Sequence, residues 1–212
     1  MLHLALARWR SVTPYVVGAA AVLVALWLDG AKAFRYDGYW LQHFEAALFL
    51  WLGARVFRVD GLSAFERAAI CAGCAWLAMD EALMFHECVR MKFKLSGPVA
   101  DPFVVAYLLA ASVAGVRLIR CLPGSARAHL GVAALAAVLV VVADLGGMGR
   151  GPWAHVLEES SEFLALAGAL AALAEGRAAG RLAAAAWAAF SFAWMFSAFW
   201  LVRPWVCPSR LL

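Results

Sequence analysis

Two short stretches put residues that bind metals or move protons inside otherwise apolar sequence. LAMDEALMFHECV, residues 77–89, holds Asp80, Glu81, His86 and Glu87. WAHVLEESSEF, residues 153–163, holds His155, Glu158, Glu159 and Glu162. On a helix the second set falls within roughly a 100° wedge, so HxxEExxE presents a chelating stripe. In the first stretch Asp80, Glu81, Met84, Glu87 and Cys88 share one arc, with His86 on its flank. Carboxylate oxygens mixed with imidazole favour a divalent Zn, Fe or Mn ion over a thiolate site. Asp80, Glu81, His86, Asp144, His155, Glu158 and Glu162 are the candidate metal ligands, and Glu87 and Glu159 the candidate general base or outer-sphere acids. Not all of them can bind one ion, so some must orient the others.

The elements that position these residues are membrane helices. Of the 212 residues, 66% are hydrophobic and 15% charged, and mean hydropathy is +0.81. Soluble domains sit near 45–50% and about 25%. Seven apolar segments follow, at about 13–29, 39–57, 64–90, 100–121, 127–145, 153–174 and 182–202, several reaching the ~20 residues a bilayer requires. Short breaks such as FRVDGLS and GGMGRG separate them. The expected architecture is all-α: one polytopic transmembrane bundle over residues 1–212, with seven spans, or six if the first segment lies in the interface. Residues 1–33 resemble a signal peptide in Arg8, Arg10 and an AKA ending at Ala33, but the apolar stretch is long for one, and it reads as the first span. The 10 Trp fit interfacial belts, and the net charge of +4 is topology signal, not a nucleic-acid surface. Of the 18 Arg and Lys, ten fall on the side of the N-terminus and eight on the other. That excess places the N-terminus in the cytoplasm of a bacterial inner membrane.

Alternating helix direction sorts the polar residues. The start of segment 2 (His43, Glu45), the end of segment 3, Asp144 at the end of segment 5 and the start of segment 6 all fall in the same half of the bilayer. At 1.5 Å per residue, Asp80, Glu162 and Glu45 sit roughly 8–15 Å below the surface. An ionised group there costs about 2.5–3.5 kcal/mol even on insertion scales, so the acids must face each other, water or a cation. Simpler readings compete. Acids in a helix's first turn favour its dipole, which covers Glu158 and Glu159 but not Glu162. Glu87 could dip into headgroups, Asp144 could end its helix ahead of Gly146, and His86 and His155 could be interfacial. His43 and Glu45 point roughly 160° apart, so only one can enter the cluster. Cys71 and Cys74 in CAGC lie one turn apart, read as small packing residues ahead of a redox pair.

The pattern DE-x4-HE at Asp80, Glu81, His86 and Glu87, then EE-x2-E at Glu158, Glu159 and Glu162 with a small residue at Gly168, resembles a group of bacterial multi-pass membrane proteins of no assigned activity. The likeness spans roughly residues 75–170 and implies a shared site, not a reaction. In span count and a mid-chain Asp-Glu the chain is also similar, at fold level only, to the seven-helix metal-dependent membrane hydrolases that include alkaline ceramidases. It departs from them in FSFAWMFSAFWLV, where their histidine pair is missing.

Three functions fit. The first is a metal-dependent hydrolase of a lipid or small amphiphile, with the metal activating water. The second is a proton- or ion-coupled carrier built on intramembrane Asp, Glu and His. The third is a structural or assembly subunit whose acids meet a membrane-protein partner. Membrane lipids surround the chain in all three.

Overall fold

A computed structural model describes residues 2–29, 39–83, 85, 89, 102–145 and 152–174. Every element among them is a helix: α1 (Leu2–Asp29), α2 (Tyr39–Val56), α3 (Ala64–Leu83), α4 (Pro102–Cys121), α5 (Gly124–Leu145) and α6 (Pro152–Ala174). The expected segment 182–202 lies outside the described residues, as does most of 84–90. Among the described residues one helical stretch, Gly124–Val142 in α5, is long and apolar enough to cross a membrane, with mean hydropathy 1.9, and α1 contains a shorter apolar stretch, Val12–Leu28.

Local chemistry fixes the boundaries. Pro102 and Pro152 open α4 and α6, where a missing N–H costs nothing and φ is preset. Ser63 and Glu66 form a reciprocal cap on α3: Glu66 N–H donates to Ser63 Oγ at 3.2 Å, and Ser63 N–H donates to Glu66 Oε2 at 2.8 Å. Gly61, at φ 87°, makes the turn ahead of that cap. A Cβ there would be strained by the backbone and would meet Cys121 Sγ at 3.4 Å. Ser63→Ala is expected to cost about 1 kcal/mol by removing the cap, measured as a lowered melting temperature.

The first helix starts at Leu2, eleven residues before the apolar segment that begins at 13. Pro14 sits inside it, where a sequence reading ends or begins a helix. The run LHLALARWR consists mostly of good helix formers and carries the helix through its two arginines. The Thr13 hydroxyl donates to the Trp9 carbonyl at 2.7 Å, beside the break that Pro14 makes in the backbone ladder.

Helix α6 is the hub. It packs against α5, α1 and α2, while α2 packs against α3 and α4 meets α5 more lightly. Gly18 of α1 lies against Phe163 and Ala167 of α6, and Gly168 of α6 against His129 and Ala133 of α5. Two apolar cores stack along the bundle. One joins Val56, Leu62, Cys71, Leu118, Leu130 and Leu173 at one end. The other joins Ala25, Leu41, Leu48, Phe163, Leu166 and Leu170 toward the other. Cys71 and Cys74 are buried and not disulfide-bonded, and the Cys71 thiol donates to the Gly53 carbonyl at 3.2 Å. They serve as small packing residues in the α2–α3 contact.

Helices α3 and α4 are pinned by polar contacts at two levels. Arg117 Nε donates to Glu66 Oε1 at the first turn of α3. The Tyr107 hydroxyl donates to Asp80 toward its last turn. The order of these pins makes the two helices antiparallel.

Candidate functional site

Three carboxylates converge where α2 meets α6. One oxygen from each of Glu45, Glu159 and Glu162 lies within 4.8 Å of the other two. Oxygens bind divalent ions at about 2.0–2.6 Å, so three atoms this close can reach one ion from different sides. Glu159 and Glu162 stand one turn apart on α6 and so share its face. Glu45 comes across from α2, where Phe44 stacks on Phe163 with ring centroids 6.0 Å apart. That aromatic contact and the Leu41–Leu48–Phe163 core set the phase of α2 against α6.

Glu45 is the most unusual residue of the three. It is 0% exposed, and among the described residues neither of its oxygens meets a donor other than the carboxyl of Glu162, itself an acid. Buried side-chain oxygens in native proteins nearly always have a partner, and an orphan costs about 1–3 kcal/mol. Its nearest polar company consists of other acids: Glu81 of α3 and Glu158 of α6 also lie within Coulombic range of both Glu45 and Glu162. Five glutamates from three helices thus share one neighbourhood. Carboxylates cannot all ionise at such separations without a cation among them or protons on some of them.

The sequence candidates distribute as follows. Glu159 and Glu162 come together with Glu45. Glu81 and Glu158 stand around that trio. Asp80 is 0% exposed and is engaged by Tyr107 of α4, whose hydroxyl donates to Oδ2 at 2.7 Å. His43 is exposed while Glu45 is buried, which resolves the pair that points to opposite sides of α2. Asp144 and His155 lie within α5 and α6, with side chains outside the described set. His86 and Glu87 lie outside the described residues altogether.

Two polar residues escaped the sequence reading. Tyr107 looks like any aromatic in an apolar run, and only the α3–α4 packing reveals its role. His129 of α5 accepts or donates a 2.8 Å hydrogen bond at Nδ1 with the Tyr15 hydroxyl of α1, their rings tilted at 5.6 Å. A lone His one turn into an apolar helix gave no spacing signal.

Fold and site together define a chain that is all-helical over its described residues, whose hub helix brings Glu159 and Glu162 to the buried Glu45. The chain belongs to the family described as a domain of unknown function, DUF8692, which matches residues 39–176. The match runs from α2 through α6 and so contains the whole carboxylate cluster, whereas α1 precedes it. No curated protein and no solved structure matches the chain.

Proposed function

We propose that this is a multi-pass membrane protein that holds a divalent cation between Glu45, Glu159 and Glu162. The observation that carries the reading is Glu45: a carboxyl with no exposure and, among the described residues, no donor other than a neighbouring carboxyl, facing two more acids. A cation turns that arrangement from a cost into a ligand set, because it supplies the positive charge the three acids lack.

The membrane part is supported by the outward side chains. Leu23 of α1 is 65% exposed, Val113 of α4 67% and Leu135 of α5 70%. Contiguous apolar exposure along three helices is unfavourable in water and ordinary in lipid. The described helices alternate in direction, as consecutive spans do. With the N-terminus inside, the carboxylate cluster lies in the outer half of a bacterial inner membrane, at headgroup-proximal depth. A divalent ion there supplies Lewis acidity, and metal-dependent hydrolysis of a lipid or small amphiphile is the reaction class that suits it. The chain's own residues position it: α6 contributes two ligands one turn apart, and α2 closes the set.

Detergent-purified wild type is expected to carry close to one equivalent of Zn, Fe or Mn by elemental analysis, and Glu162→Ala to carry none. Metal-free wild type after growth in metal-replete medium overturns the reading. A carrier is the second reading, and Tyr15–His129 favours it. That pair lies beside Gly168, six residues beyond Glu162 on α6, roughly 9 Å toward the opposite face, where a carrier needs a further titratable station. Cation-driven proton flux in liposomes distinguishes it from hydrolysis.

A further inference from the structure

We infer that Trp76, Tyr107 and Asp80 form a latch that positions Glu81 at the carboxylate cluster, with Asp80 the latch's acceptor and not a ligand to the cation. This rests on reading the cluster as a cation site. Asp80 and Glu81 are neighbours on α3, so their side chains leave the helix roughly 100° apart. One turns toward α4, where the Tyr107 hydroxyl donates to Oδ2 at 2.7 Å. The other lies within Coulombic range of Glu45 and Glu162.

The direction of the latch follows from its donors. The Trp76 indole N–H donates to the Tyr107 oxygen at 3.0 Å. Indole can only donate, so the phenol must accept from it, and the phenol's single proton is left for Asp80. Trp76 and Asp80 are four residues apart and project from one face of α3, so side chains a turn apart converge on the one Tyr107 hydroxyl. Phe85 braces the indole edge-on, with centroids at 5.5 Å and planes at 78°. Two bonds from successive turns of α3 to one oxygen on α4 limit both the rotation and the axial height of the end of α3. A rotation of that end is what would carry Glu81 away from α2 and α6. The adjacent acids therefore divide the work: Asp80 is held, and Glu81 is presented.

Equilibrium dialysis against Mn2+, on protein confirmed folded by circular dichroism and gel filtration, tests this. Tyr107→Phe is expected to weaken Mn2+ binding about 10-fold, the lower end of the loss seen when a residue bonded directly to a ligand is removed, because Tyr107 acts on Glu81 only through α3. Asp80→Leu is expected to fall as far, and combining the two to add little, because both remove one interaction. Asp80→Asn keeps a carbonyl oxygen to accept from Tyr107 and is expected to stay within about threefold of wild type. Tyr107→Phe within about twofold of wild type overturns the latch while leaving the cation site standing. Asp80→Asn falling as far as Asp80→Leu also overturns it, because a ligand needs the charge and an acceptor does not. Wild type that binds no Mn2+, Zn2+ or Fe2+ removes the cation site itself, and the latch with it.

Discussion

Glu45→Leu is expected to abolish metal retention and, in the same protein, to raise the melting temperature of the metal-free form. The two effects share one cause. In the absence of a cation, Glu45 is a fully buried carboxyl that meets other acids and, among the described residues, no donor except another carboxyl. An unsatisfied buried polar group costs about 1–3 kcal/mol, and leucine removes that cost while extending the Leu41–Leu48–Phe163 core. Roughly 2–4 °C per kcal/mol is the conversion for a chain of this size. With metal the order reverses. A ligand at 100 times its Kd stabilises the folded state by about 2.7 kcal/mol, which wild type gains and the variant does not. Thermal melts with chelator and with excess Mn2+ should therefore cross: the variant higher without metal and insensitive to it, wild type lower and rising. A Glu45→Leu protein that melts below metal-free wild type would show that Glu45 already has a stabilising partner, and the argument for a cation would lose its main support.

From α2 through α6, helix positions were legible in the sequence because breakers and apolar length both speak at the boundaries, whereas α1 starts eleven residues earlier than its apolar segment. Ser63 with Glu66, and Pro102 and Pro152 at first helical positions, are local signals that need no tertiary contact. Rotational phase was not legible. YWLQHFEAALFLWLGARV is apolar on every side, so nothing in α2 says whether His43 or Glu45 turns inward. The contact of Phe44 with Phe163 decides it, and that contact joins residues 119 positions apart. As a result Glu45, the residue that defines the cluster, stood only as an alternative to His43 and not among the candidate metal ligands. The adjacent acids Asp80 and Glu81 pose the same problem. Their types point to a polar site, but which one serves it depends on a tyrosine one helix further on. Halves of the bundle can be read from composition, whereas faces require packing.

Gly168→Ala is expected to destabilise the bundle by about 1–3 kcal/mol, as overpacking does. A Cβ at this position would lie 2.9 Å from both the His129 carbonyl oxygen and the Ala133 amide nitrogen, and 3.1 Å from Ala133 Cβ. The first two are backbone atoms, so no rotamer change relieves them and α5 and α6 must move apart. Helix α6 is also packed against α1 and α2 on its other sides, which limits how far it can retreat. Glu162 lies six residues back along α6, less than two turns away, so separation of the pair is expected to weaken Mn2+ binding as well as lower the melting temperature. Two further alanine substitutions give the comparison its force. At Gly18 the nearest atoms lie at 3.6–3.9 Å, an ordinary contact distance, and alanine should be tolerated. At Gly131 of α5 nothing lies within 4 Å, and alanine should stabilise by roughly 0.5–1 kcal/mol through helix propensity. One substitution at three glycines should thus lower, spare and raise stability in turn. If Gly168→Ala melted at or above wild type, the close approach of α5 and α6 would be wrong, and with it the placement of Glu159 and Glu162 on the face of α6 that meets α2.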